Sequence, residues 1–285
     1  MENPLVSVLM TAYNREKYVA EAIESVLASS YQHFELIIVD DASKDNTAKI
    51  ANTYQRINTR VRVYINEQNL GDYGNRNLAA SYASGQYIMH VDSDDTILRD
   101  GIERCVNVMK QFPDSPFGMR LYNKEVAPYE ISSAAVIRHH FFVEPLLGIG
   151  PGATIIKRDF FVAINRYPVK YGPANDRYFN LKAACQGSMV FLPFEFLRYR
   201  LHEGQEINNQ FSYLYNNYLY LRDALNELPL PLMKDEIRWL HLKNKRRFLM
   251  NITRYFTSTF NLPKTLTVLK KTQFGFKDML QAILH

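Results

Sequence analysis

Cysteine is scarce: Cys105 and Cys185 are the only two in 285 residues. Two thiols cannot build a disulfide framework, nor supply the four ligands of a closed zinc site. Both sit in apolar segments with helical patterning, which predicts buried thiols in a reducing compartment. Long apolar runs are lacking too. The most apolar stretch, residues 141–156, is broken by Glu144, Pro145, Pro151 and three glycines, whereas a membrane span needs about 20 apolar residues. The first ten residues, MENPLVSVLM, begin acidic and have too short an apolar run for a signal peptide. Internal repeats and flexible linkers are also missing. A cytoplasmic protein is expected, soluble or peripheral on the inner face of the plasma membrane.

A basic surface is absent from most of the chain. The net charge is +5, yet residues 234–285 carry 11 Lys+Arg against 3 Asp+Glu, while residues 1–233 carry 23 against 26. A basic tail on a slightly acidic body is not the footprint of a nucleic-acid groove, so no nucleic-acid partner is expected. What is abundant is core-forming material, 47% hydrophobic and 13% aromatic residues beside 22% charged. That balance excludes disordered and collagen-like chains and supports a sizeable core.

The first hundred residues alternate β-rich runs with helical patterns, which predicts an α/β fold with a parallel sheet. Strands are expected over residues 5–11, 34–40, 62–65 and 87–92, with helices over 16–29, 45–55, 72–83 and 99–112. The strand ends at Thr11, Asp40, Asn66 and Asp92 are 29, 26 and 26 residues apart, the pitch of successive strand–helix units. In such open sheets ligands bind beyond the carboxyl ends of the strands. Past Pro113 the pattern loosens. Strands are expected near 117–122, 154–157, 189–194 and 196–201, a helix over 175–186, and a loop-like region between the first two of these strands. From residue 211 the chain reads as helical.

The strand ends carry distinctive residues. The first leads into Thr11, Ala12, Tyr13, Asn14 and Arg15, which offer backbone groups, an aromatic face and a cation. The second ends in Asp40 and Asp41, which either accept the ring N–H of a base or form an ordinary Asp-rich turn and helix cap. The fourth runs into Asp92-Ser93-Asp94-Asp95. Three like charges within four residues cost roughly 1 to 4 kcal/mol per pair at about 4 Å. A divalent cation with oxygen ligands, Mg2+ or Mn2+, would relieve that cost. Gly71, Gly74 and Arg76 open the third helix. They permit close backbone approach and offer a cation to phosphate, or are simply a glycine-containing helix entry. The lysine of a Walker loop and the third glycine of a dinucleotide fingerprint are missing.

Taken together, VSVLMTAYNREKYVAEAIESVLASSYQHFELIIVDDASKDNT and NLGDYGNRNLAASYASGQYIMHVDSDD resemble the family 2 glycosyltransferases of GT-A fold, a Rossmann-like mixed sheet flanked by helices. The resemblance is close over residues 4–112 and looser to about residue 205. It implies a nucleotide-sugar-binding half over 1–112, an acceptor-binding half over 113–210 and a basic helical extension over 211–285.

By that resemblance Thr11, Ala12 and Tyr13 hold the donor base, with Arg15 beside them. Asp41 contacts the base edge next to Asp40, and Arg76 lies near the base or diphosphate. Asp92, Ser93 and Asp94 form the Asp-x-Asp element for ribose and metal. The family often carries a Glu-Asp pair whose Asp is the catalytic base. Here Asn175 stands in place of the Glu and Asp176 keeps the Asp, although a plain helix cap fits Asp176 as well. Tyr199-Arg200-Leu201-His202 resembles the element closing over the diphosphate, with Arg200 on phosphate and His202 on the metal.

The implied activity is inverting, Mn2+- or Mg2+-dependent transfer from a nucleoside-diphosphate sugar, with UDP as the expected nucleotide. The acceptor is a hydroxyl of a saccharide or lipid-linked molecule in cell-surface polysaccharide synthesis. The alternatives are a sugar-nucleotide nucleotidyltransferase and a catalytically degenerate binding protein of the same fold. Tyr129, Phe141 and Phe142 either stack on acceptor sugars or pack in the core. His139 and His140 lack the i, i+4 spacing of a helical metal pair. The basic tail is either a solvated helical face or a peripheral contact to anionic lipid.

Overall fold

The computed structural model describes residues 3–121, 126–202 and 209–284. An eight-stranded sheet forms its centre, with the strands in the spatial order 61–65, 34–40, 6–12, 87–90, 154–157, 117–120, 189–192 and 129–131. The first half comprises β1 (Val6–Ala12), α1 (Val19–Leu27), β2 (Phe34–Asp40), α2 (Thr47–Ile57), β3 (Val61–Ile65), α3 (Asp72–Ser81), β4 (Tyr87–His90), a short β5 (Thr96–Ile97) and α4 (Gly101–Met109). The strands β3, β2, β1 and β4 run parallel. The chain moves outward from β1 to β3 and then returns to pair β4 with β1. Strand order therefore reverses between β1 and β2 on one side and β4 on the other, the kind of crevice where open sheets bind ligands.

Every residue of β1 is buried. Val6, Val8 and Met10 enter one core with Leu36, Ile38 and Met89, while Leu9 enters the other with Ile37, Val39 and Ile88. Alternate side chains thus go to opposite faces, and helices cover both, which is why these strands read as unbroken apolar runs.

The second half adds β6 (Phe117–Arg120), β7 (Tyr129–Ile131), α5 (Ser133–Phe142), β8 (Thr154–Lys157), α6 (Arg158–Ala163), α7 (Asn175–Gln186), β9 (Met189–Leu192) and β10 (Leu197–Arg198). Antiparallel pairing of β8 with both β4 and β6, and of β7 with β9, makes the sheet mixed. The extension consists of α8 (Gln210–Glu227), α9 (Lys234–Thr259), α10 (Leu262–Thr272) and α11 (Phe276–Leu284).

Several expectations need correction. The part of the expected loop-like region over 129–152 is not a loop throughout: it holds β7 and α5, and Ser132 Oγ caps α5 by accepting the Ala135 N–H. Its Ala-Ala-Val-Ile run is helical, and the Pro and Gly residues that suggested a loop all follow it. The strand expected over 196–201 shrinks to β10, which pairs with β5 in a separate two-stranded ribbon. Residue 122, at the end of the expected strand over 117–122, lies outside the described residues. Cys105 is buried as expected, whereas Cys185 is only half-buried; both are free thiols. No helix among the described residues is long and apolar enough to cross a membrane.

Candidate active site

The ends of β1 and β2 are locked to each other before any ligand is considered. Asp41 N–H donates to the Ala12 carbonyl. Asn14 Oδ1 accepts the Lys44 N–H, and Ser43 Oγ accepts the Asn14 N–H. Asn14 and Ala42 hold left-handed backbone, with φ of 53° and 61°, a conformation that costs an alanine about 1 kcal/mol. The turns are therefore over-determined by their surroundings. Tyr13 points outward and is 43% exposed.

The two aspartates at the end of β2 play different parts. Asp41 is saturated by its own chain: it accepts from Asn66 Nδ2 at 2.7 Å, Leu70 N–H at 2.8 Å and Gly71 N–H at 3.0 Å. It thereby fixes the approach to α3, where Gly71 has φ of 76°. Asp40 accepts the Ser43 N–H through Oδ2, and its buried Oδ1 has no partner among the described residues.

From the second turn of α3, the buried Arg76 reaches two carboxylates, Asp72 Oδ1 at 2.8 Å and Asp92 Oδ1 at 2.7 Å. Burial would raise the Asp92 carboxyl, but the Arg76 guanidinium outweighs it and holds the group below the ordinary range. Asp92 does not lie in β4, which ends at His90, but opens the turn beyond it. Ser93 and Asp95 are buried in that turn. Desolvation, with Asp92 and Asp94 nearby, pushes Asp95 up to about 7 against the opposing Arg200 N–H it accepts.

Asp94 gathers the remaining charged groups. Its Oδ2 lies 2.8 Å from Arg15 Nε and 2.9 Å from His202 Nε2. The His202 ring stacks on Tyr18 at 4.5 Å, and the Arg200 guanidinium reaches Glu21 at 2.6 Å and lies over the same Tyr18. The segment 199–202 is thus docked onto the start of α1 and the acidic turn. Among the described residues no three His, Cys, Asp or Glu side chains form a metal-ligand set. Asp92, expected beside the other two as a ligand, is tied to Arg76.

Asp176 sits in the first turn of α7. The N-cap residue is Ala174, and among the described residues the Asp176 carboxylate accepts the N–H of Arg177 alone, at 2.6 Å. It keeps part of its surface open, yet the surrounding protein desolvates it and raises its pKa to about 7. Arg177 and Arg76 oppose that rise, while Asp72 reinforces it. Asn175 does a separate job: its Oδ1 accepts the Tyr171 N–H and its Nδ2 donates to the Gly172 carbonyl, closing the turn that presents Asp176.

The structure thus brings Arg15, Asp94, Asp95, Arg200 and His202 into one cluster and Arg76, Asp92 and Asp72 into another, with Asp176 in electrostatic range of the second. Several participants carried no assigned role in the sequence. Asp72 had a signal, its i, i+4 spacing to Arg76. Tyr73, Tyr167 and His90 had none. Tyr73 and Tyr167 pack edge to face, both raised first by desolvation and further by Asp176. His90 lies beneath, pushed down to about 3 by burial and Arg76, with neither ring nitrogen partnered among the described residues.

The expected acceptor residues divide as well. The exposed Tyr129 packs on the buried Phe191, Phe142 faces Trp239 at the surface, and Phe141 joins the core. His140 Nδ1 accepts the Leu147 N–H and so ties the following loop.

Comparison with known proteins gives a consistent picture. The profile of the family described as "Glycosyl transferase family 2" matches residues 7–169, more than half of the chain. A putative teichuronic acid biosynthesis glycosyltransferase, TuaG of Bacillus subtilis, is 40% identical over 108 residues, 38% of this chain and 43% of that protein. The chain thus spans less than half the length of that relative. The Escherichia coli UDP-Glc:alpha-D-GlcNAc-diphosphoundecaprenol beta-1,3-glucosyltransferase WfgD is 28% identical over 78% of this chain and 87% of its own. Among solved structures, S. aureus TarS 1-349 in complex with UDP-GlcNAc superimposes with a TM-score of 0.73 at 20% identity, covering 94% of this chain and 80% of that one. The Pyrobaculum calidifontis mannosyltransferase PcManGT, in complex with GDP-Man and Mn2+, does so with a TM-score of 0.66 at 15% identity, over 99% and 84%. These likenesses establish the fold.

Proposed function

The chain belongs to glycosyl transferase family 2 and is a glycosyltransferase of GT-A fold, and from that premise we propose that it transfers a sugar, with inversion, from a UDP-sugar to a hydroxyl of a lipid-linked or polysaccharide acceptor. The observation that carries the mechanism is Asp176, a carboxyl raised to about 7 in range of Arg76. A general base works best with a pKa near the operating pH. The Asp176 carboxylate takes the proton of the acceptor hydroxyl as that oxygen attacks the anomeric carbon. The bond from that carbon to the diphosphate oxygen breaks, and its electron pair leaves with the nucleoside diphosphate. Attack from the face opposite the leaving group inverts the configuration, and no second nucleophilic carboxylate is required.

Arg15, Arg76 and Arg200 supply the positive charge that the leaving diphosphate needs in a partly dehydrated site. Thr11, Ala12 and the open ring of Tyr13 offer the base a surface, with Asp40 and Asp41 beneath it. Asp41 acts there through the loop that it fastens. Asp94 and His202, an adjacent carboxylate and imidazole, are donor types that suit Mn2+ or Mg2+, with Asp92 in the same turn. A divalent ion held by these residues would supply Lewis-acid charge to the departing diphosphate. Support for metal use comes from PcManGT, whose complex contains Mn2+. Support for UDP comes from TarS and WfgD, and for a lipid-linked acceptor from WfgD. The division into donor half 1–112, acceptor half 113–210 and extension 211–285 belongs to the same proposal.

The test is a donor screen with UDP-, GDP- and dTDP-sugars against a diphosphate-lipid acceptor analogue, with and without Mn2+, reading product anomeric configuration by NMR. Turnover with a UDP-sugar and an inverted product is the expected result. A retained configuration would overturn the single-displacement mechanism. Turnover with GDP- or dTDP-sugars alone would overturn the choice of nucleotide.

A further inference from the structure

The last helix is apolar on two sides. Its inner face, Met279 and Ala282, packs with Phe248 and Val268 in a small core of the extension. Its outer face carries Phe276, Leu280, Ile283 and Leu284, which are 76, 42, 66 and 73% exposed. Those positions recur at i, i+4, i+7 and i+8, a single helical stripe. Phe260, Leu262 and Leu266, in and just before α10, are exposed as well. Isolated exposed apolar residues are ordinary, whereas a contiguous stripe marks a contact surface.

The charge around the stripe selects the partner. Lys277 lies on α11 itself, the exposed Lys270 and Lys271 end α10 just before it, and Arg246 of α9 places Nε 3.4 Å from the Ala282 carbonyl at the last turn of α11. Between α9 and α11 opens a cavity of about 310 Å3 lined by Lys234, Arg238, His241, Lys245 and Gln281, with two apolar residues. Asp278 is neutralised by Lys245 at 2.7 Å. On α9 Leu240, Phe248 and Ile252 are buried, while the exposed positions carry Lys243, Arg246, Arg247 and Arg254 together with Trp239 and Met250. An apolar stripe bordered by cations matches a bilayer with negative headgroups above hydrocarbon.

We infer that α11, with the neighbouring cations of α9 and α10, docks on the surface of an anionic lipid bilayer. The docking stands on this surface alone. Its purpose, bringing the active site to a lipid-linked acceptor, rests on the proposed function. The connection is built in: Arg177, next to Asp176, bonds Asn217 of α8 at 2.9 Å, and α8 in turn packs against α9 and α10.

The test is co-sedimentation of the full chain with vesicles of phosphatidylcholine alone or mixed with phosphatidylglycerol, at low and high salt. Binding to the anionic vesicles at low salt is expected, weakened about tenfold or more at high salt. Phe276→Ser with Ile283→Ser, and separately Lys270→Glu with Lys277→Glu, are each expected to lose about tenfold in binding. Circular dichroism and turnover of a soluble acceptor analogue should stay at wild-type levels. Wild-type chain left in the supernatant at low salt overturns the inference. So does unchanged vesicle binding by the serine pair. If that pair instead dissolves a dimer without altering vesicle binding, a second copy covers the stripe and the inference fails. Absence of turnover in every form, wild type included, would count against the transferase reading and leave the vesicle result to decide docking.

Discussion

The sheet half and the helical extension bury their apolar residues in different ways, and the difference governs where chemistry can occur. In β1 every residue is buried, with neighbours sent to opposite cores. The interior side chains of such a strand are spent on the two cores, so function is left to Thr11 and Ala12 at the last positions of β1 and to Arg15, Asp40, Asp41, Asp92 and Asp94 at or just beyond strand ends. In α9, 26 residues long, the buried positions are Leu240, Asn244, Phe248 and Ile252. The rest of the helix stays available. A doubly covered sheet concentrates function into a few turns, whereas a helical bundle offers a broad surface.

The largest effect should come from the site itself. Asp176→Asn is expected to lower kcat by about 10²–10⁴-fold, the usual contribution of a positioned general base. In the wild type kcat/KM should rise with pH and level off above about 7, since the base must be ionised and its pKa is raised to about 7. Stability should move the other way. The folded state holds the Asp176 proton more tightly than the unfolded chain, so stability is full below the ordinary value of 3.8 and is lost as pH rises toward about 7. At pH 8 Asp176→Asn should therefore melt higher than wild type, by roughly 2–4 °C. A variant that keeps full turnover would remove Asp176 from the mechanism.

Next in size is Arg76→Ala. It strips the shared cation from Asp72 and Asp92, and breaking a buried ion network by removing one partner costs about 3–5 kcal/mol. Urea unfolding checks it; a loss below about 1 kcal/mol would mean that water reaches these carboxylates. In the extension, Phe248→Ala empties a fully buried position between Tyr218 and Phe274, with an expected cost of about 3 kcal/mol. Comparing the two variants by hydrogen exchange sharpens the contrast between the regions. Phe248→Ala should loosen α8–α11 first, and Arg76→Ala the ends of β1 and β4.

Much of the sheet half was legible because burial leaves a strong imprint there. Apolar runs bounded by Asp-rich turns located β1, β2 and β4 to within about two residues. The partners of those turns were not legible. Asp41 reads as a base contact, yet three donors of the loop over 66–71 occupy it, a pairing 25 to 30 residues away in sequence that no local pattern encodes. Asp92 and Asp94 read as one acidic unit, yet one turns to Arg76 and the other to Arg15 and His202. The position of Asn175 suggests only a missing carboxylate. Tyr167 approaches Asp176 through tertiary packing alone, and nothing in Asn-Arg-Tyr-Pro announces it.

Asn175 offers the smallest and most discriminating test. Its amide spans the turn before α7, accepting from Tyr171 N–H at 2.9 Å and donating to the Gly172 carbonyl at 2.7 Å. Gly172 holds φ of 50° at that point, so the turn adopts a conformation that few residues tolerate and needs a fastener. Asn175→Ala leaves the buried Tyr171 N–H and the partly buried Gly172 carbonyl without this partner and should cost about 1–2 kcal/mol in urea unfolding. If the tie also aims Asp176, kcat should fall several-fold while KM for the donor and the pH midpoint near 7 stay unchanged, because neither the donor contacts nor the desolvation of Asp176 is altered. Asn175→Asp keeps the acceptor for Tyr171 N–H but loses the donor to Gly172, and should recover part of the stability near neutral pH. Loss of stability in Asn175→Ala with kcat untouched would show that the turn holds its shape without help at the moment of reaction, and that Asp176 is aimed by α7 alone.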